Sequence, residues 1–238
     1  VPDVTIATAN GPMHAYLAAP TAADGPRPGV VVIHDALGMT TDLCRQADWL
    51  ADAGYLALAP DLYHWGSRMR CLLSAMRAMA VGRGRTFQDI DAARTWLTDR
   101  DDCTGRIGVI GFCLGGGFAL ALSAVPGYAA SSVNYGSIAR PDDVLAHACP
   151  IVGSYGGRDR SLKGTPQQLE RILAANDIPH DIATYPDAGH SFLNDHQPGE
   201  MPAWARVSGS FVHAGYHEPS AVDARRRIAR FFDTHLKA

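Results

Sequence analysis

The stretch that most constrains this chain is Arg106-Ile107-Gly108-Val109-Ile110-Gly111-Phe112-Cys113-Leu114-Gly115-Gly116-Gly117. A β-branched run, Ile107–Ile110, meets a glycine, a bulky residue, a cysteine, a leucine and three more glycines. The alanine- and leucine-rich stretch Phe118–Ser123 then reads as helix. A strand that turns sharply into a helix strains the turn residue, and the glycines leave room where the two backbones close in. The new helix points unpaired N–H groups at Cys113, which favours a sulfur anion there and later an oxyanion. The pattern Gly111-x-Cys113-x-Gly115 is the Gly-x-Ser-x-Gly nucleophile turn with sulfur for oxygen. The alternative is a glycine-rich turn that buries a structural cysteine. A dinucleotide loop fits worse, because Cys113 stands where Gly-x-Gly-x-x-Gly needs its second glycine.

Around this turn the chain alternates strand and helix. Val4–Ala9 and Met13–Ala19 read as a hairpin about Asn10-Gly11, followed by a Pro/Gly/Ala loop, Pro20–Pro28. Gly29–Ile33 is a near-continuous β-branched run, as expected of a parallel strand covered on both faces. Thr41–Ala53 reads as helix stopped by Gly54, and Tyr55–Ala59 as the next strand. Residues 64–85 suggest a short amphipathic helix and a glycine-broken loop, and Thr86-Phe87-Gln88-Asp89 a capping box for a helix through Thr98. Ser131–Tyr135, Ile151–Tyr155 and His180–Tyr185 read as strands, and Pro166–Ala175 and Ser220 to Leu236 as helices. The expectation is one α/β domain over residues 1–238, a mostly parallel central sheet with helices on both faces and an antiparallel start. Residues 195–217, with Trp204, Phe211, His213 and His217, form a long loop that reads as a lid or a dimer contact.

A chain of 238 residues can bury a core without staples. A net charge of −3 argues against nucleic acid or an anionic membrane as the main partner. Five cysteines, an odd number without paired spacing, suit free thiols in a reducing compartment. Val1–Pro20 lacks the basic start and apolar core of a signal peptide, so a cytoplasmic protein is expected. Cys44, Cys71, Cys103 and Cys149 read as packing residues. His213 and His217 have i,i+4 spacing but no third ligand nearby, so neither a metal nor any other cofactor is expected.

Sites in open parallel sheets form beyond the carboxyl ends of the strands. Those ends carry, in order, His34-Asp35, Asp61, Cys113, Tyr135-Gly136, Gly156-Gly157-Arg158-Asp159 and Asp187-Ala188-Gly189-His190. Nucleophile, then acid, then histidine is the chain order of α/β-hydrolases. A lone Asp or His in such a loop is usually a surface or capping residue. Three of these types in this order, each at a strand end, point to a triad of Cys113, Asp159 and His190.

The residues Gly111-Phe112-Cys113-Leu114-Gly115-Gly116, Gly157-Arg158-Asp159 and Ala188-Gly189-His190-Ser191-Phe192 resemble the dienelactone hydrolase family of α/β-hydrolases. The likeness takes in His34-Asp35-Ala36-Leu37-Gly38 and Pro60-Asp61-Leu62-Tyr63 and spans nearly the whole chain. It implies hydrolysis of a small-molecule ester or lactone by a monomer or homodimer, with no cofactor. It implies Cys113 as nucleophile, His190 as acid and base, and Asp159 as its orienting partner. Leu114 and Ala36 would give the oxyanion N–H groups. Asp35 stands where the family commonly has a glutamate that pairs with the resting thiol. The other reading of Asp35 is a carboxylate that holds turn N–H groups.

The family's namesakes grip a substrate carboxylate with two arginines. This chain has His64-Trp65 at the first position and Leu193-Asn194 at the second. Arg68 or Arg70 could stand in from the following helix. His64, Trp65, Arg68, Tyr135, Phe192 and Asn194 are therefore the candidate substrate contacts, and Trp65, Phe192 and Tyr135 among them suggest a pocket for apolar or aromatic groups. Alternatives are dienelactone hydrolysis proper, phosphotriester or thioester hydrolysis at the same nucleophile, and a non-catalytic redox-sensing thiol.

Overall fold

Aliphatic runs without polar interruption become the inner strands of one sheet, as double-sided burial requires. The computed structural model describes residues 3–21, 25–197, 199–201 and 209–237. Its strands are β1 (Asp3–Thr8), β2 (Gly11–Ala18), β3 (Arg27–Ile33), β4 (Leu56–Pro60), β5 (Cys103–Phe112), β6 (Ala130–Asn134), β7 (Ile151–Gly156) and β8 (His180–Tyr185). They form an eight-stranded sheet in the order β1-β2-β4-β3-β5-β6-β7-β8. β2 pairs antiparallel with β1 and β4, and all other neighbours are parallel.

The helices are α1 (Thr41–Asp52), α2 (Arg68–Val81), α3 (Arg85–Thr98), α4 (Leu114–Leu122), the single turn α5 (Pro141–Val144), α6 (Thr165–Ala175) and α7 (Glu218–Leu236). Alternate residues of the strands feed opposite layers. Val31, Ile33, Leu56, Leu58, Ile107 and Val109 pack with α2, α3 and α4. Val30, Val32, Ala57 and Ala59 pack with Leu43, Ala47 and Leu50 of α1 and Ala224, Ile228 and Phe232 of α7. Together these layers hold β3 and β5 rigidly, so the turns at their carboxyl ends have a fixed base.

Several local expectations shift. The hairpin closes with Thr8 opposite Gly11, so Ala9-Asn10 forms the loop and Gly11, at φ +109°, opens β2. The helix within residues 64–85 is longer than its sequence suggests, with 14 residues from the Ser67 cap to Gly82 in the left-handed conformation. The capping box at 86–89 is not formed. α3 starts at Arg85 after Gly84, without a side-chain cap. Asp89 is fully buried and instead accepts from Asn10 Nδ2 at 2.8 Å and meets His64 Nε2 at 3.3 Å. Burial gave this carboxylate tertiary donors, and those outcompete a local N–H group.

Candidate active site

The turn after β5 exists because glycine lets three backbones meet. A Cβ on Gly111 would sit 1.9 Å from the Gly115 carbonyl oxygen, and one on Gly115 would sit 2.4 Å from that of Ile33. Any side chain at either place would push α4 off the sheet. Between them Cys113 takes φ 54° and ψ −114°, outside the relaxed regions, and its N–H donates to Asn134 O at 3.0 Å. The helix therefore starts at Leu114, four residues ahead of the Phe118 expected from composition. Its first N–H groups have no intrahelical acceptor and face the turn.

The turns after β7 and β8 bring a carboxylate and an imidazole together. The His190 Nδ1–H donates to Asp159 Oδ2 at 2.6 Å. The other oxygen, Oδ1, accepts from Ser161 N–H at 3.0 Å and Ser161 Oγ–H at 2.6 Å. Burial pushes the Asp159 carboxyl up, but the hydrogen bonds from His190 and Ser161 outweigh it and hold the group below its ordinary value. Burial alone would lower His190. Its hydrogen bonds with Asp159 and Cys113, and the charges beside it, win and lift it to about 10. With Nδ1 engaged by Asp159, Nε2 is the nitrogen left for Cys113.

Cys113 and His190 line one cavity of about 450 Å³, with Asp35, Ala36, Leu37, Asn194, His196 and Tyr216 among its walls. Cys113 alone of the five cysteines lines it. Burial raises the thiols of Cys44, Cys71, Cys103 and Cys149, the last to about 12, which makes them poor nucleophiles.

The segment after His190 is a wall of this cavity. Val212 O accepts from His190 N–H at 3.1 Å, and His190 O accepts from Gly215 N–H at 3.0 Å. A Cβ on Gly189 would fall 1.8 Å from His213 O, so glycine permits this contact. His217 precedes α7 and shares a 2.8 Å hydrogen bond with Ser220 Oγ. Trp204 lies outside the described residues.

Of the six expected substrate contacts, only Asn194 lines the cavity. Tyr135 is 1% exposed; its ring lies 5.2 Å from that of His190 and its hydroxyl donates to Asn194 Oδ1. Phe192 is fully buried against Tyr135 and Tyr185. Both support the histidine loop from below, since aromatic bulk is drawn into the core. His64 is held by Asp89, and Trp65 lies under the guanidinium groups of Arg70 and Arg85 at 5.3 and 4.3 Å. Arg68 is exposed in the first turn of α2 and does not line the cavity. Among the described residues no arginine lines the cavity.

Asp35 reaches the cavity, yet its carboxylate is engaged elsewhere. Oδ1 accepts from Leu37 N–H at 2.7 Å, and Oδ2 meets His196 Nε2 at 2.8 Å. The turn-holding reading of Asp35 is the one these distances support. Three residues escaped the sequence reading. Asp42, buried in the first turn of α1, accepts from Asn194 Nδ2 at 2.6 Å and Asp195 N–H at 3.0 Å. His196 is the second. The third, Ser161, follows Asp159 by two residues, a spacing that invites an Asx-type turn and could have been read.

A mostly parallel sheet carrying a strained cysteine turn ahead of an acid and a histidine defines an α/β-hydrolase fold. The match to the Dienelactone hydrolase family covers residues 13–236, and the chain belongs to that family and is a hydrolase. A Salmonella typhimurium protein named "Putative carboxymethylenebutenolidase" is 31% identical, over 92% of this chain and 82% of that one. A Pseudomonas putida protein named "Carboxymethylenebutenolidase" is 26% identical, over 78% of this chain and 84% of that one. A crystal structure named "Putative Dienelactone Hydrolase", from Klebsiella pneumoniae, superposes with a TM-score of 0.79 at 27% identity and covers 97% of each chain. Among the described residues no helix is long and apolar enough to cross a membrane.

Proposed function

We propose that this hydrolase cleaves neutral carboxylic esters or lactones through Cys113, His190 and Asp159, by way of a thioester. The 2.6 Å contact between His190 and Asp159, in the cavity that Cys113 lines, carries the reading. The Cys113 thiolate attacks the carbonyl carbon and the C=O pair moves onto oxygen. The N–H groups of Leu114 and Ala36 receive that oxyanion; losing one such donor typically costs about 3–4 kcal/mol. The intermediate collapses, the C–O bond to the alcohol breaks, and the His190 Nε2 proton passes to the leaving alkoxide. Water then gives its proton to His190, attacks the thioester and releases the acid, and Cys113 leaves as thiolate. Asp159 fixes the imidazole tautomer and supports its charge throughout.

Substrate preference follows from the wall. Ala36, Leu37, Met201, Val212 and Ala214 make it largely apolar, and none of the described residues on it is an arginine that could hold a substrate carboxylate as a bidentate partner. Neutral aryl esters should therefore turn over faster than a carboxylate-bearing enol-lactone. Matched kcat/KM measurements on the two substrates test this, and the reverse order would refute the preference.

A further inference from the structure

His196 is the second imidazole of the cavity, and the mechanism above gives it no work. Its side chain is 7% exposed, and it faces Asp35, whose side chain is 8% exposed. Asp35 sits immediately before Ala36, the residue proposed as second oxyanion donor. Among the described residues the Ala36 N–H has no hydrogen-bond acceptor, so it is free for an incoming oxygen. Everything else in this turn is fastened. Asp35 O accepts from Gly38 N–H at 3.3 Å and meets His34 Nδ1 at 2.7 Å. Ala36 O accepts from the Tyr63 hydroxyl at 3.3 Å, and Asp35 Oδ1 from Leu37 N–H at 2.7 Å. The remaining carboxylate oxygen is held by His196 alone among the described residues.

His196 is itself delivered rigidly. Asn194 and Asp195 are bonded to Asp42 just before it. Just after it, Glu200 accepts from Thr41 N–H at 2.6 Å and Gln197 N–H at 3.1 Å. The segment after His190 is thus clipped to the start of α1 on both sides of His196.

We propose that His196 is a positioning residue for the oxyanion site: by holding Asp35 Oδ2 it fixes the turn that aims the Ala36 N–H at the substrate oxygen. A carboxylate this buried must be paired or hydrogen-bonded. Without His196 it turns or takes up water, and the Leu37 N–H bond that shapes the turn goes with it. Burial opposes a charge on His196, but its hydrogen bond with Asp35 and the charges of Asp35, Asp42 and Glu200 outweigh it and favour the imidazolium form, which strengthens the grip. The inference rests on the proposed thioester mechanism, since it acts on an oxyanion.

The experiment compares two reactions of the same sulfur. Ester turnover builds an oxyanion; alkylation of Cys113 by iodoacetamide does not. In the His196→Ala protein, kcat for a neutral aryl ester should fall about 10- to 100-fold, a part of what a whole donor contributes. KM and the alkylation rate should stay within about twofold, because the loss lies in the transition state. His196→Gln, which keeps a neutral donor at similar reach, should recover most of kcat. Unchanged kcat in His196→Ala would overturn the proposal. So would an equal loss of alkylation and turnover in both variants, or a rise in KM alone. A Cys113→Ala control separates the two layers: if it retains turnover, the thioester reading fails first.

Discussion

At Cys113 the backbone does as much as the sulfur. A positive φ is rare for a residue with a side chain, and Ser191, at φ 59° on the same cavity, and Tyr135, at φ 42° behind His190, share it. Such strain persists only where surrounding contacts over-determine it, here the Asn134 carbonyl and the glycine cradle. His190 carries the sharpest electrostatic consequence. Its proton is held to about pH 10 in the fold against an ordinary 6.5. A raised pKa stabilises the folded state fully below pH 6.5, and that contribution drains away as pH climbs towards 10. The urea-midpoint gap between wild type and His190→Gln should therefore narrow steadily over that interval; a gap that widens contradicts the assignment. Asp159→Asn keeps the volume but supports the wrong imidazole tautomer, so kcat should drop by about 10²–10⁴ while KM changes little. Steady-state kinetics on an aryl ester would read both.

Among the elements, the least legible in sequence is the segment after His190. The strands announced themselves, since Gly29–Ile33 and Ile107–Ile110 are β-branched runs that only a covered sheet accommodates. The nucleophile turn was legible because its glycines have a steric cause that spacing alone reveals. Nothing local marks His196 or Asp42, because the partners Asp35 and Asn194 that engage them lie more than 150 positions away in sequence. Tyr135 and Phe192 misled for a related reason: an aromatic just past a strand end or in the loop beyond it can face the cavity or the core, and pattern cannot choose. Asn194→Ala tests the element directly. It strips the Tyr135 hydroxyl and the buried Asp42 carboxylate of a partner at once, which should cost about 1–3 kcal/mol of stability. Gly189→Ala should cost a similar amount by wedging a methyl against His213 O, with melting temperature falling about 2–4 °C per kcal/mol. Thermal unfolding of both variants is the check; a melting point unchanged in either would show that the wall is not clamped as described.

Over the whole molecule, one sheet organises the chemistry. β3, β5, β7 and β8 run parallel, so their carboxyl ends open on the same edge and deliver the Ala36 turn, Cys113, Asp159 and His190 to one place. α1 and α7 cover one face and α2 and α3 the other, leaving that edge as the site. The apolar wall, without an arginine among the described residues, is the feature that supports the proposed preference for neutral esters. The most direct measurement is mass spectrometry of the protein quenched during turnover of a slowly deacylated aryl ester. One acyl group per chain is expected on the peptide that contains Cys113, absent from Cys113→Ala and accumulating in step with the product burst. Turnover with no acyl group on Cys113, or an unmodified Cys113→Ala protein hydrolysing the ester at the wild-type rate, would contradict it.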